Sequence, residues 1–195
     1  MSITARRYDA VGCTDQNRPA QQDKPDNMKS HLVPVTEQHV SELMSWFPDS
    51  AAVALWSPDN SFPFVRERFI AEAMLHRAAS FMLLDQDESP VAFGQFYARH
   101  GCCHLARLVV APNRRTEGFG AALISQLSAL GMVALSTSRC SLFVLAHNEK
   151  ALRLYRRLGF IEAVYPEKLP LPGCLYMIKE CGVMQQSSGV PVALV

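Results

Sequence analysis

The 195-residue sequence predicts one α/β domain with a mixed central β-sheet flanked by helices, and three observations carry that prediction. Segments of helical period separate several strand-like runs. Two other runs are joined by the short turn QDESP. The run CSLFVLA (140–146) is apolar almost without interruption, as a strand buried on both faces is. Helical crossovers imply parallel neighbours and tight turns imply antiparallel ones, so the sheet must contain both. Composition is that of a globular chain, 49% hydrophobic and 19% charged, with no internal repeat. Nineteen basic residues against 18 acidic leave a charge of +1, which gives no surplus to recommend nucleic acid or an anionic membrane as partner.

Taken in order, residues 1–30 hold only nine apolar or aromatic residues among Asp, Asn, Gln, Lys and Pro, and read as a flexible N-terminal arm. HLVPV (31–35) reads as a strand, and Thr36 can open a short helix through Met44 to Phe47. WSPDNSFPF (56–64) is a loop. Val65, Phe69, Ile70 and Met74 mark one face of a helix to about Ala79. FMLLD (81–85) and VAFGQFYA (91–98) form an antiparallel pair, and HLARLVVA (104–111) is the next strand. After PNRRTEG a helix carries Phe119, Leu123, Leu127 and Leu130 on one face, with Gly131 as its end. Asn148 can cap a further helix in which Ala151, Leu154, Tyr155 and Leu158 share a face, and Gly159 falls where a C-cap glycine belongs. FIEAVY (160–165) and CLYMIK (174–179) are the last strands. The domain therefore spans 31–180, and 181–195 is an uncharged C-terminal tail that either covers apolar surface or meets a partner.

Six cysteines occur without a CxxC pair or a histidine at finger-like spacing, which suits reduced thiols in a cytoplasmic protein and no metal site. No apolar h-region follows the N-terminal arginines, so no secretory signal is read. Residues 118–138 lack charge over about the length of a bilayer span. Their polar residues and amphipathic rhythm favour a soluble helix, and no membrane association is expected.

The chemistry is concentrated where the strand 104–111 meets the Leu-periodic helix. A strand, the loop Arg115-Thr116-Glu117-Gly118-Phe119-Gly120 and a helix N-terminus form an anion site, because free N–H groups converge and the helix dipole favours negative charge. Two glycines in a tight turn would look the same in isolation. GxxxxGK[ST] and GxGxxG are both absent, which leaves P-loop and dinucleotide-binding classes unsupported.

LARLVVAPNRRTEGFGAALI resembles the signature of the GCN5-related N-acetyltransferases (GNAT), whose Arg/Gln-x-x-Gly-x-Gly/Ala loop holds the acetyl-CoA pyrophosphate. HNEKALRLYRRLGF (147–160) is similar to the family's second element, matched by Asn148, Ala151, Tyr155, Gly159 and Phe160. The resemblance implies a GNAT-like fold and direct transfer of acetyl from acetyl-CoA to a primary amine in a ternary complex, without metal. By position it implies that the backbone of Leu108, Val109 and Val110 meets the pantetheine arm. Arg115, Thr116, Glu117, Gly118, Phe119, Gly120 and Ala121 would wrap the pyrophosphate, and Asn148 would touch the cofactor arm. Tyr155 would be the acid at the sulfur, a role that a phenol protonated at neutral pH can fill. A core aromatic is the other reading of Tyr155.

Thr116 and Glu117 depart from the small or basic residues usual in the loop, and a carboxylate there must point to solvent. His104 stands where many members carry a glutamate base, so either His104 or water deprotonates the amine. Arg99 and Arg107 could meet a substrate anion or be solvated, and Trp56, Phe62 and Phe64 could line the acceptor pocket or pack over the sheet. At most one of Cys102 and Cys103 shares a face with His104. Partners are acetyl-CoA and an amine acceptor, small or peptidic, with room for a homodimer. The alternative is a non-catalytic acyl-CoA-sensing module that signals through its tail.

Overall fold

The structure, a computed structural model, describes residues 29–57, 61–75 and 78–181. The N-terminal arm and C-terminal tail inferred from composition lie almost wholly outside them. Thirteen elements follow one another: β1 (His31–Pro34), α1 (Glu37–Ser45), α2 (Ser50–Trp56), α3 (Arg66–Glu72), β2 (Ala79–Leu84), β3 (Pro90–Arg99) and β4 (Cys102–Val110), then a 3-10 turn (Pro112–Arg114), α4 (Phe119–Ala134), β5 (Arg139–Leu145), α5 (Glu149–Arg157), β6 (Ile161–Ala163) and β7 (Cys174–Glu180). They make one seven-stranded sheet in the order β1-β2-β3-β4-β5-β7-β6. The β4–β5 pair is parallel and the other neighbours are antiparallel, so the mixed sheet is as expected.

Each face of the sheet has its own core, because the strand side chains alternate. On one face α4 and α5 bury Phe119, Leu123, Leu127 and Tyr155 against Phe96, Leu105, Leu142 and Met177. On the other, α1, α2 and α3 bury Leu43, Trp46, Val53 and Phe69 against Met82 and Phe93. Cys103 belongs to the first face and His104 to the second, as strand alternation requires.

Three helix readings need correction. α2 was not expected: Asp49 caps it, its carboxylate accepting from the Ala52 N–H at 2.8 Å, but seven residues are too few to show a period. The helix expected over 65–79 is the shorter α3, closed at Ala73, with Met74 at φ 53°. Gly131 does not end α4, which continues to Ala134. A Cβ at Gly131 would stand 2.4 Å from Cys103 Sγ and 3.0 Å from Phe96, so glycine is there for close packing of helix on sheet. Both ends of α5 lie where the sequence predicts them. Asn148 Oδ1 accepts from the Ala151 N–H at 3.3 Å, and Gly159 closes the helix at φ 89°.

No helix of the described residues is long and apolar enough to cross a membrane; the uncharged stretch 118–138 is mostly α4, whose buried face packs on the sheet.

Candidate active site

The site begins where the two parallel strands part. β4 and β5 are paired from Cys103↔Cys140 to Leu105↔Leu142 and no further, so from Ala106 onward the β5-facing edge of β4 is open. A cleft of about 280 Å³ lies in this fork, walled by Ala106–Leu108 of β4, Phe143–Leu145 of β5, Asn148 and Tyr155 at α5, and Leu55–Ser57 at the end of α2.

β4 is bent at the fork. Gln95 pairs with Ala106 but Phe93 pairs with Val109, so β4 carries an extra residue in a β-bulge, and Arg107 takes φ 50°. This strained residue is held by both of its ends. Its carbonyl accepts from Trp56 Nε1 at 2.7 Å, and its guanidinium donates to Gln95 Oε1 (3.1 Å), the Glu72 carbonyl (3.2 Å) and Ser57 Oγ (3.3 Å). Gln95 is fully buried and donates in turn to the Ala73 carbonyl and Ser80 Oγ. Arg107 is thus no solvated strand charge: it ties α2 and α3 to the bulge while it lines the cleft. Trp56 lines the cleft, whereas Phe62 and Phe64 pack edge-on to each other, Phe64 also meeting Phe47 and Phe69.

At the open end of the fork the chain turns through Arg115 and Thr116, the latter at φ 70°, and Gly118 at φ 95° before α4 starts. Gly118 O accepts from the Ala121 and Ala122 amides, so the first amides of the helix, at Phe119 and Gly120, lack intrahelical acceptors. The Phe119 side chain is buried in the core, so it offers the turn its backbone alone. A Cβ at Gly120 would lie 3.2 Å from Leu154 and 3.6 Å from Val110, which lets β4, α4 and α5 close up beneath the turn.

The acidic residue in this loop is neutralised locally. Arg114 donates to Glu117 at 3.0 Å and to Asp85 at 2.7 Å while stacking 4.8 Å over the Phe119 ring. The Arg114 guanidinium and the Ser89 and Asp87 amides hold the Asp85 carboxyl below its usual range. Glu117 is thereby drawn away from the turn amides, and Arg115 stays exposed beside them, Nε 3.4 Å from the Val110 carbonyl.

Of the residues singled out beforehand, Tyr155, His104, Leu108 and Asn148 line the cleft. Val109 and Val110 continue β4 above it, paired with Phe93 and Ala92. Tyr155 is 9% exposed and its hydroxyl has no hydrogen-bond partner among the described residues; burial pushes its pKa up to about 12, so it is a neutral donor. His104 is 1% exposed, Nδ1 2.9 Å from Ser141 Oγ, with the Tyr97 and Phe143 rings on either side. Burial, with Arg99 and His100 adding positive charge nearby, lowers its pKa to about 3. The parts of the candidate site that sequence reasoning missed are α2, the bulge and the Arg114 clamp.

These features agree with the comparisons to known proteins. The profile of the acetyltransferase (GNAT) family matches residues 42–160. Among solved structures, the spermidine N-acetyltransferase from Vibrio cholerae, in complex with CoA and spermine, superposes with TM-score 0.61 at 18% identity, covering 77% of this chain and 95% of that one. An acetyltransferase of the GNAT family from Staphylococcus aureus gives TM-score 0.57 at 10% identity, over 78% and 99%. The chain belongs to the GNAT acetyltransferase family and is an acetyl-CoA-dependent N-acetyltransferase.

Proposed function

We propose that the cleft at the β4–β5 fork holds acetyl-CoA and that an acceptor amine attacks it there by direct transfer. The observation that carries the reading is the succession, along one end of β4, of an open strand edge, a cleft that holds a buried tyrosine hydroxyl without a partner among the described residues, and the turn into the α4 N-terminus. The residues fit the group they would hold. Arg115 and the amides of the turn from Thr116 to Ala121 suit a pyrophosphate, and the β4 edge at Leu108–Val110 suits the amide-bearing pantetheine arm. Asn148 keeps one amide N–H₂ for that arm while its oxygen caps α5.

Acetyl-CoA supplies an activated acyl group as a thioester. The amine nitrogen forms the new C–N bond, and the C–S bond breaks. A backbone N–H of the β4 edge donates to the carbonyl oxygen as charge develops on it. The amine's two protons, one lost before attack and one as the C–N bond forms, go to water, because His104, with a pKa near 3, is too weak a base to hold them; the histidine orients the floor through Ser141. Tyr155 donates a hydrogen bond to the departing sulfur. With its pKa about 12 against about 8.5 for an ordinary thiol, it stabilises the thiolate, which takes its proton from solvent on release.

Tyr155→Phe tests the assignment. It removes the donor and keeps the packing, so turnover of an accepted amine falls about 100-fold or more while acetyl-CoA affinity is unchanged. Unchanged turnover in thiol-release assays would remove Tyr155 from the chemistry.

A further inference from the structure

On the α1–α3 face, below the fork, the floor of the cleft is aromatic, and a cation packs beside the rings that form it. The Arg99 guanidinium carbon lies 5.2 Å from the Phe143 ring centroid, 5.4 Å from Tyr97 and 5.9 Å from Tyr165. Tyr97 and Phe143 also line the cleft, together with His104. Arg66, Arg68, Arg114, Arg153 and Arg156 each hold a carboxylate, but Arg99 has neither an ion pair nor a hydrogen bond among the described residues. Ring faces attract the flat of a guanidinium and use none of its N–H donors, so the fork of Arg99 stays available for a bidentate anion.

The surroundings select the sign of that partner. Among the described residues no aspartate or glutamate lines the cleft, and the Glu167 carboxylate lies 3.7 Å from His100 Nε2. A polycationic acceptor would find no counter-charge in this lining and a half-buried cation beside it. An acceptor bearing a carboxylate would neutralise that cation, and the positive field of Arg99 would favour the uncharged form of its amine.

Given acetyl transfer at this cleft, we infer that the acceptor is an amine carrying a carboxylate, of the amino-acid type, whose carboxylate pairs with Arg99 while its amine faces the fork. The test is a thiol-release screen of the full chain with acetyl-CoA, offering free amino acids, their carboxamides and spermidine. The expected result is turnover of one or more free amino acids, with the matching carboxamide about 10-fold or more worse in kcat/KM, chiefly through KM. Arg99→Gln should erase that preference, the larger loss falling on the free amino acids, with acetyl-CoA affinity as it was, and Arg99→Lys should restore part of it. Better turnover of spermidine or of the carboxamides, or an Arg99→Gln loss that falls equally on both forms, overturns the inference and leaves N-acetyl transfer standing. Thiol release from none of the amines, despite acetyl-CoA binding, overturns the catalytic reading as well.

Discussion

His104 ties stability to pH in a way that can be worked from the structure. It is 1% exposed and its native pKa is about 3, against 6.5 in an open chain. Below pH 6.5 the unfolded chain takes up a proton at this residue and the folded chain does not. The unfolded state therefore binds more protons, and stability falls as the pH falls, until the native histidine also titrates near pH 3. From pH 7 to pH 5 the loss is about 2 kcal/mol, and over the whole window about 5 kcal/mol. Asp85 and Glu72, both held low by arginine and amide donors, lose their contribution only below their ordinary values of 3.8 and 4.5, beneath the pH 7 to 5 range in which the slope is read. His104→Gln keeps a hydrogen-bonding group for Ser141 and cannot titrate. Urea unfolding followed by tryptophan fluorescence at pH 7, 6 and 5 should show the slope in the wild type and its loss in the variant. The reasoning is refuted by equal slopes in the two proteins, or by an NMR titration that places His104 near 6.5.

Arg114→Ala releases Glu117 toward the turn amides, so CoA affinity should fall about 3- to 10-fold, and adding Glu117→Gln should recover it; equilibrium binding of the two variants decides. Gly131→Ala forces a methyl against Cys103 Sγ and Phe96 and should cost about 1–3 kcal/mol in urea unfolding despite alanine's better helix propensity, with Cys103→Ala in the same chain relieving part of the loss.

Much of the fold was legible because the informative signals are local. The Leu repeat of α4 and the Asn148 and Gly159 caps of α5 each depend on residues within a few positions, and both helices are where those residues put them. The parallel pairing of β4 with β5 followed from the helix between them. What escaped is set by partners distant in the chain. The bulge at Arg107 exists because Trp56, Ser57, Glu72 and Gln95 converge on one residue, and no short window contains them. Glu117 looked harmful in the loop because its clamp, Arg114, is itself anchored by Asp85, 29 positions earlier in the chain. His104 looked like a base because its residue type suits one. Its burial between Tyr97 and Phe143 is a property of the sheet, as is the gathering of Arg99 with those same rings.

The central claim is that the fork and the α4 N-terminus together hold acetyl-CoA. Calorimetric titration of the full chain with acetyl-CoA tests it most directly, with Gly120→Asp and Arg115→Ala titrated alongside and their melting curves recorded. The account predicts one site per chain in the wild type, binding lost in Gly120→Asp and weakened in Arg115→Ala while both variants still melt cooperatively. Absence of binding by the wild type at millimolar acetyl-CoA, or equal binding by both folded variants, would contradict it.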